Sequence, residues 1–427
     1  MVRTMAGLIL GVVLAVSWMG MALAQNGLRT LPVGTKITTR NWQQYKDYLT
    51  EGYQALLSGK YHWKVPDEAV LEVGPTQSYP LPPSFQRATE KYGSQVKLRR
   101  LPSGGYTIDG YVAGEPFLNP SGPLAGEELL YDQYYNYTPA VNYEYSGSHN
   151  VDRYGSVLEM LDTVVFRRLA HVSDPGWDIT NPAASGVYFT LYVEVILPEQ
   201  SKYTTSLQSQ YDDVLKFPEV YVFLPSLRRS LRLSSAARCA PLLGTDFTND
   251  DSSSVPLPPT IDQARLLGER KVLAAWGPQG AEGTTFMDFA HNWYFPVYWP
   301  KAALDVKWQL RDVWVLEIKR IPSQRAGYCY GKKIYYVDKE FYGAVEIDSY
   351  DPSMKLWKVF TGFTTPIPVP GGGFYARNGG ENVIYDLQNQ HSSVSWEGKV
   401  LLNSNAPRQY HDVNRYALPA GLQQIMQ

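Results

Sequence analysis

Cysteine and histidine are scarce in this sequence, two and six among 427 residues. Cys239 and Cys329 cannot build a structural zinc site by themselves, and no histidine pair stands at ligand spacing beside either. The six histidines are scattered singly, so a histidine-based centre would have to be gathered from distant segments. No G-x-S-x-G elbow, H-E-x-x-H or G-x-x-x-x-G-K-[ST] occurs. Gly277, Gly280 and Gly283 lack the lysine of a phosphate loop and read as a plain loop. Excess charge of one sign is missing too. A net charge of −2, with no basic stripe interleaved with aromatics, argues against a nucleic-acid partner. Past the N-terminus, no stretch has the ~18–20 apolar residues that a membrane-spanning helix needs. The expectation is a non-enzyme with no catalytic residues, no metal and no cofactor.

The start does carry a signal. "MVRTMAGLILGVVLAVSWMGMALAQ" places Arg3 before an uncharged apolar run from Gly7 to Met21. Ala22-Leu23-Ala24 then supplies small residues at a cleavage site, so residues 1–24 read as a secretory signal peptide removed before Gln25. No cysteine follows that site, which excludes lipid modification there. In an oxidising compartment Cys239 and Cys329 are candidates for a disulfide, with two buried thiols as the alternative. The 32 tyrosines and 11 tryptophans favour pleated, half-buried surfaces and lean the chain towards sheet.

Residues 25–150 read as a helical and hairpin region. In "NWQQYKDYLTEGYQALLSGKY", Trp42, Tyr45, Leu49, Tyr53 and Leu56 recur at spacings of 3, 4, 4 and 3, one face of a helix. Thr39 is the expected cap and Gly59 the expected stop. Further helices are expected over Ser84–Tyr92 and Leu124–Tyr134, and a hairpin around "PSGG". From 151 to 365, alternating segments such as "GVYFTLYVEVIL" and "DVWVLEIKRI" succeed one another without helices between them. That pattern suits antiparallel strands. Residues 366–427 read as a linker and an irregular tail.

One stretch ties these features together: "VYVFLPSLRRSLRLSSAARCAPLLGTDFTNDD", Val220 to Asp251. Tyr221 and Phe223 alternate with Val220, Val222 and Leu224. Pro225 cannot donate to a ladder, so pairing stops and the chain turns. Arg228 and Arg229 stand at the turn, and their forks could pin it to Asp246 or Asp250. Asp246, Asn249, Asp250 and Asp251 lack the spacing of a calcium loop and read as a solvated turn.

The strand ending in "LP", the basic turn and "GTDF" in this order resemble the signature of the outer-membrane lipoprotein-sorting-like (LolA/LolB-like) families. "VWVLEIKRI", "KKIYYVDKEFYGAVEIDSYD" and "KLWKVF" are similar to that group's later strands. "GYVAGEPFLNPSGPLAGEELLYD" resembles a box of its long branch, a domain of unknown function. The likeness spans about residues 105 to 360, with Thr245 where serine is usual. It implies an α+β fold: a half-open, curved antiparallel sheet, an incomplete β-barrel, with helices covering its concave face. Pro225, Arg228, Arg229, Gly244 and Asp246 would form the structural signature turn. Trp42, Tyr45, Leu49, Tyr53, Tyr221 and Phe223 would line a cavity for a hydrophobic ligand.

The function this implies is a periplasmic carrier or chaperone for a lipid-like molecule in a Gram-negative cell envelope. An inner-membrane exporter or an outer-membrane protein would be its partner. The alternative is a non-catalytic interaction module docking on an outer-membrane or export complex, its cavity filled by its own side chains. A hydrolase assembled from distant residues comes third.

Overall fold

A computed structural model describes residues 30–233, 239, 241, 245–248, 250–251, 258–277, 291–294, 296–375 and 381–426. The chain divides into two units, Met1–Leu31 and Pro32–Gln427, and every element below belongs to the second. The expected signal peptide and Gly244, Asn249, Gly280 and Gly283 lie outside the described residues.

Thirteen strands form one antiparallel sheet. The first six are β1 (Val141–Val151), β2 (Val157–Arg168), β3 (Val187–Leu197), β4 (Thr205–Tyr211), β5 (Glu219–Leu224) and β6 (Arg229–Leu233). The other seven are β7 (Asp262–Trp276), β8 (Lys307–Arg320), β9 (Lys332–Asp338), β10 (Ala344–Tyr350), β11 (Leu356–Phe363), β12 (Glu381–Asp386) and β13 (His391–Leu402). Their order is β6-β5-β4-β3-β2-β1-β13-β12-β11-β10-β9-β8-β7, so two meanders meet at the β1–β13 seam. Among the described residues β6 and β7 remain edges, and the sheet is not closed into a barrel.

Residues 366–427, expected as linker and tail, instead supply β12 and the seam strand β13. β13 pairs with β1 from Ser392↔Val151 to Leu402↔Asn142. Ser392 and Ser393, on opposite faces of β13, are both fully buried, so the alternation that marks a strand is hidden by small polar residues on two covered faces.

The helices are short: α1 (Glu51–Ser58), α2 (Pro83–Tyr92), α3 (Ala125–Tyr135) and the four-residue α4 (Val413–Tyr416). The single helix expected across Trp42–Leu56 is broken. A 3-10 turn covers Trp42–Tyr48, Leu49 is extended, and Thr50 rather than Thr39 caps α1 through its side chain, which accepts from the Tyr53 amide. Gly59 ends α1 in the left-handed conformation, where it carries no steric cost. Ser84 lies inside α2, which begins at Pro83 after Pro82. Lys97–Arg100 and Tyr106–Asp109 pair as a hairpin.

α3 touches both halves of the sheet. Tyr131, Tyr134 and Tyr135 pack with Val164 and Phe166 of β2 and with Tyr188 and Phe189 of β3. On its other side Glu127 Oε1 accepts from the Ala264 amide of β7 at 3.0 Å. A Cβ on Gly126 would lie 2.6 Å from backbone atoms of Ala264 and Arg265, so only glycine permits this approach. The edge β7 therefore comes back towards β2 and β3 across α3.

Candidate functional site

α1 sits on β10 and β11 because Gly52 leaves room for it. A Cβ at Gly52 would lie 2.3 Å from Asp348 Oδ1 and 2.5 Å from Val359 Cγ1. The Gly52 amide donates to that Asp348 oxygen at 3.1 Å, and the Tyr336 hydroxyl donates to the other at 3.2 Å. Asp348 is fully buried, and burial pushes its carboxyl up to about 7, against the opposing pull of the Gly52 amide. Glu346, equally buried, is carried well above the ordinary carboxylate range by burial, while hydrogen bonds with Tyr53 and Thr361 act the other way.

Below α1 the space is occupied by rings. The Trp308 indole donates to Tyr53 Oη at 3.1 Å, Trp299 stacks on Trp308 at 5.5 Å, and Trp293 meets Phe363 edge-on at 5.2 Å. Tyr53, Trp293, Trp299, Trp308, Tyr298 and Tyr385 are all buried. Outside α1 lies a cleft of about 480 Å³ bounded by Trp42, Glu51, Gln54, Lys60, Arg270 and Tyr336. Arg270 Nη2 donates to the carbonyls of Asp47 (2.7 Å) and Leu49 (3.1 Å), holding the break before α1.

The expected ligand-lining residues thus fall in three places. Trp42 borders the polar cleft, and Tyr45, one turn on, is half-buried. Leu49 and Tyr53 are inside the core. Tyr221 and Phe223 lie on β5, second in the sheet, far from α1 on its ninth and tenth strands.

β5 also presents the face opposite to the one expected. Phe223 is 2% exposed and packs with Val165, Tyr192 and Leu207 beneath Tyr416 and Leu422 of the C-terminal segment, with Tyr221 against the same cluster. The alternate residues Val220, Val222 and Leu224, with Leu231 and Leu233 paired across from them on β6, stay half-buried to exposed. Their face continues through Ser206 and Gln208 to Leu191 and Val193, and then to Val164 and Phe166 under the α3 tyrosines. The C-terminal cover was missed by sequence reasoning. Tyr410, Val413 and Tyr416-Ala417 at helical spacing were its signal.

The signature box does not pair as expected. Pro225 ends β5 in a 3-10 turn, and Arg228 takes the left-handed conformation (φ 50°). Arg228 and Arg229 are exposed. The box acids are not solvated either. Asp250 pairs with Arg320, which also grips Asp262. Asp251 accepts from Lys333 (3.0 Å), Lys358 (3.4 Å) and the Tyr330 hydroxyl (2.7 Å). Burial alone would raise the Asp251 carboxyl, but these ammoniums and hydrogen bonds together hold it below its ordinary range. Asp246 accepts from Ser393 Oγ at 3.0 Å. Phe247 packs on Ile347 and Phe360, neighbours of Asp348 and Val359, so the box covers the sheet face opposite α1. A Cys239–Cys329 disulfide ties the connection between β6 and β7 to the loop after β8.

Chemically, the molecule offers buried carboxyls, an aromatic core, a half-exposed apolar ledge on β5 and β6, and a polar cleft. Among the described residues no group of three or more His, Cys, Asp or Glu side chains could hold a metal ion. No helix among them is long and apolar enough to cross a membrane.

Residues 36–413 match the family model described as protein of unknown function, DUF1329. An uncharacterized protein of Pseudomonas aeruginosa is 23% identical over 340 residues, covering 76% of this chain and 67% of the relative. Among solved structures, a DUF1329 family protein from Desulfovibrio piger is 14% identical with a TM-score of 0.47, covering 68% of this chain and 98% of its own. A LolA superfamily protein from Nitrosomonas europaea is 13% identical with a TM-score of 0.38, covering 66% and 96% respectively.

Proposed function

We propose a carrier function for this chain, which belongs to the DUF1329 family of proteins of unknown function. In this proposal it is a non-catalytic periplasmic protein that takes the apolar part of a lipid-like molecule against its open sheet. The ligand passes to or from an exporter or an outer-membrane partner.

The ledge of Val220, Val222, Leu224, Leu231 and Leu233 carries this proposal. It extends the α3-covered apolar face to β6, an edge among the described strands, with Leu233 still 47% exposed. Each buried methylene contributes about 0.8 kcal/mol, roughly 10 kcal/mol for a dozen carbons, which association costs reduce to micromolar affinity. A carrier must also release its load, and that strength suits it.

A fluorescent fatty-acyl probe tests the proposal. Binding is expected to be saturable and to be weakened at least tenfold by Val222→Asp, a charge that an apolar ligand would have to desolvate. That variant should keep its fold, since Val222 is only half-buried. No saturable binding by the unchanged protein, or equal binding by Val222→Asp, defeats the carrier. The second reading, a docking module of an export complex, would then stand, favoured by the rings that already fill the space beneath α1.

A further inference from the structure

Five short connections join neighbouring strands at one end of the sheet: 152–156 (β1–β2), 198–204 (β3–β4), 225–228 (β5–β6), 351–355 (β10–β11) and 387–390 (β12–β13). The registers bring them to the same end: Leu161 pairs with Leu197, Thr205 with Phe223, Val151 with Ser392, and Lys358 with Asp386. Four of the five present a large apolar or aromatic side chain to solvent: Tyr154 (86% exposed), Tyr203 (46%), Leu227 (51%) and Met354 (51%). Each of these stands next to a base in sequence, namely Arg153, Lys202, Arg228 and Lys355, and Arg229 follows Arg228.

We propose that this rim of turn tips docks on an anionic phospholipid bilayer, with Tyr154, Tyr203, Leu227 and Met354 entering the headgroup layer and the adjoining bases holding lipid phosphates. The charges favour it. Of the rim acids, Asp152 is turned back onto the amides of Tyr154 (2.8 Å) and Ser156 (2.9 Å), and Asp351 onto that of Lys355 (3.0 Å). Glu199 is engaged by Lys202, so that pair is neutral and the phosphates fall to Arg153, Arg228, Arg229 and Lys355. Among the described residues, Arg153, Arg228 and Arg229 make no ion pair and are exposed. The opposite end of the sheet differs in its balance of charge: the β2–β3 connection presents Ile179 beside Asp178, and in the β4–β5 connection Leu215 and Lys216 follow two acids, Asp212 and Asp213.

Spacing selects a bilayer over a protein partner. Leu227, Tyr203 and Tyr154 stand at tips two strands apart, about 10 Å along the curve, and Met354 four strands beyond Tyr154, about 20 Å. Anchors that far apart make no continuous apolar patch of the kind a protein interface buries, whereas single aromatic or aliphatic side chains fit separately among headgroups. Each base near an anionic surface favours binding by about fivefold.

Sedimentation of the purified protein with vesicles is the test, comparing phosphatidylcholine alone with an equal mixture of phosphatidylcholine and phosphatidylglycerol. Binding is expected only to the mixture and should weaken in high salt. Arg228→Asn with Arg229→Glu should reduce it at least tenfold, and Tyr154→Ser with Leu227→Ser comparably. Leu215→Ser, at the other end, should leave it unchanged. All these side chains are exposed, so each variant should keep the parent's circular dichroism and unfolding midpoint. The proposal is overturned by no binding to the mixture, by equal binding to phosphatidylcholine, or by a Leu215→Ser loss as large as the rim variants'. Acyl-probe binding reports the β5–β6 ledge separately, so either surface can fail without the other.

Discussion

Replacing Asp348 by asparagine should make the protein more stable at neutral pH while changing little in acid. Asp348 is fully buried on β10, its oxygens accepting from the Gly52 amide and the Tyr336 hydroxyl. An asparagine can keep both contacts, because its oxygen still accepts from Gly52 and its amide can donate to Tyr336 once that hydroxyl turns. The carboxyl ordinarily titrates at 3.8 and is pushed up to about 7 here, first by burial. Below the lower value both folded and unfolded chains hold the proton, and nothing is lost. As pH rises between the two values the unfolded chain ionises while the folded one stays protonated, so stability falls with rising pH. At about 1.4 kcal/mol per unit, that amounts to about 4 kcal/mol by neutral pH. A domain of ordinary stability has only about 5–15 kcal/mol in total. Guanidinium unfolding followed by tryptophan fluorescence, with the disulfide intact and at pH values from about 4 to 8, gives the curves for parent and variant. Their difference should grow in the variant's favour by several kcal/mol across that range and then level off. A difference that stays constant within about 1 kcal/mol would show that Asp348 is already ionised in the folded state at mild acidity, and the reasoning from burial would be wrong.

Asp251→Ala leaves the buried ammoniums of Lys333 and Lys358 facing each other without their carboxylate, and should cost about 3–5 kcal/mol, or prevent folding, in the same assay. Because the Asp251 carboxyl sits below its ordinary range, its contribution is present above the unfolded value and is lost on acidification; equal stability of parent and variant at neutral pH would refute this. Cys239→Ser with Cys329→Ser opens a crosslink across 90 residues and should lower stability by about 2–4 kcal/mol, while free-thiol labelling of the unreduced, denatured parent should find none.

Alternation of apolar with polar residues was enough to mark most strands from Val157 onward, because a residue's face on a pleated strand is fixed locally. The same local chemistry marked Gly59 as a helix stop and Pro225 as a strand end. It failed for β1 and β13, where Asn142, Glu144, Ser392 and Ser393 are buried: a strand whose inward side chains are polar has no periodic signal. It also ran one helix through Leu49, since the apolar spacing continues across a break that the Arg270 side chain holds from another part of the chain.

Composition and order of residues by themselves determined an antiparallel, sheet-dominated chain without a recognisable catalytic or metal motif. The tertiary structure alone decided which face of β5 stays open, because Phe223 and Val222 are both apolar and alternation does not say which of the two is covered. The return of Tyr416 and Leu422 closes over Phe223, while Val220, Val222 and Leu224 stay half-buried. It likewise decided that Asp250 and Asp251 meet Arg320, Lys333 and Lys358 rather than the nearby Arg228 and Arg229. A charge finds its partner through the strands that carry it together, and those strands lie some seventy to a hundred and ten residues further along the chain.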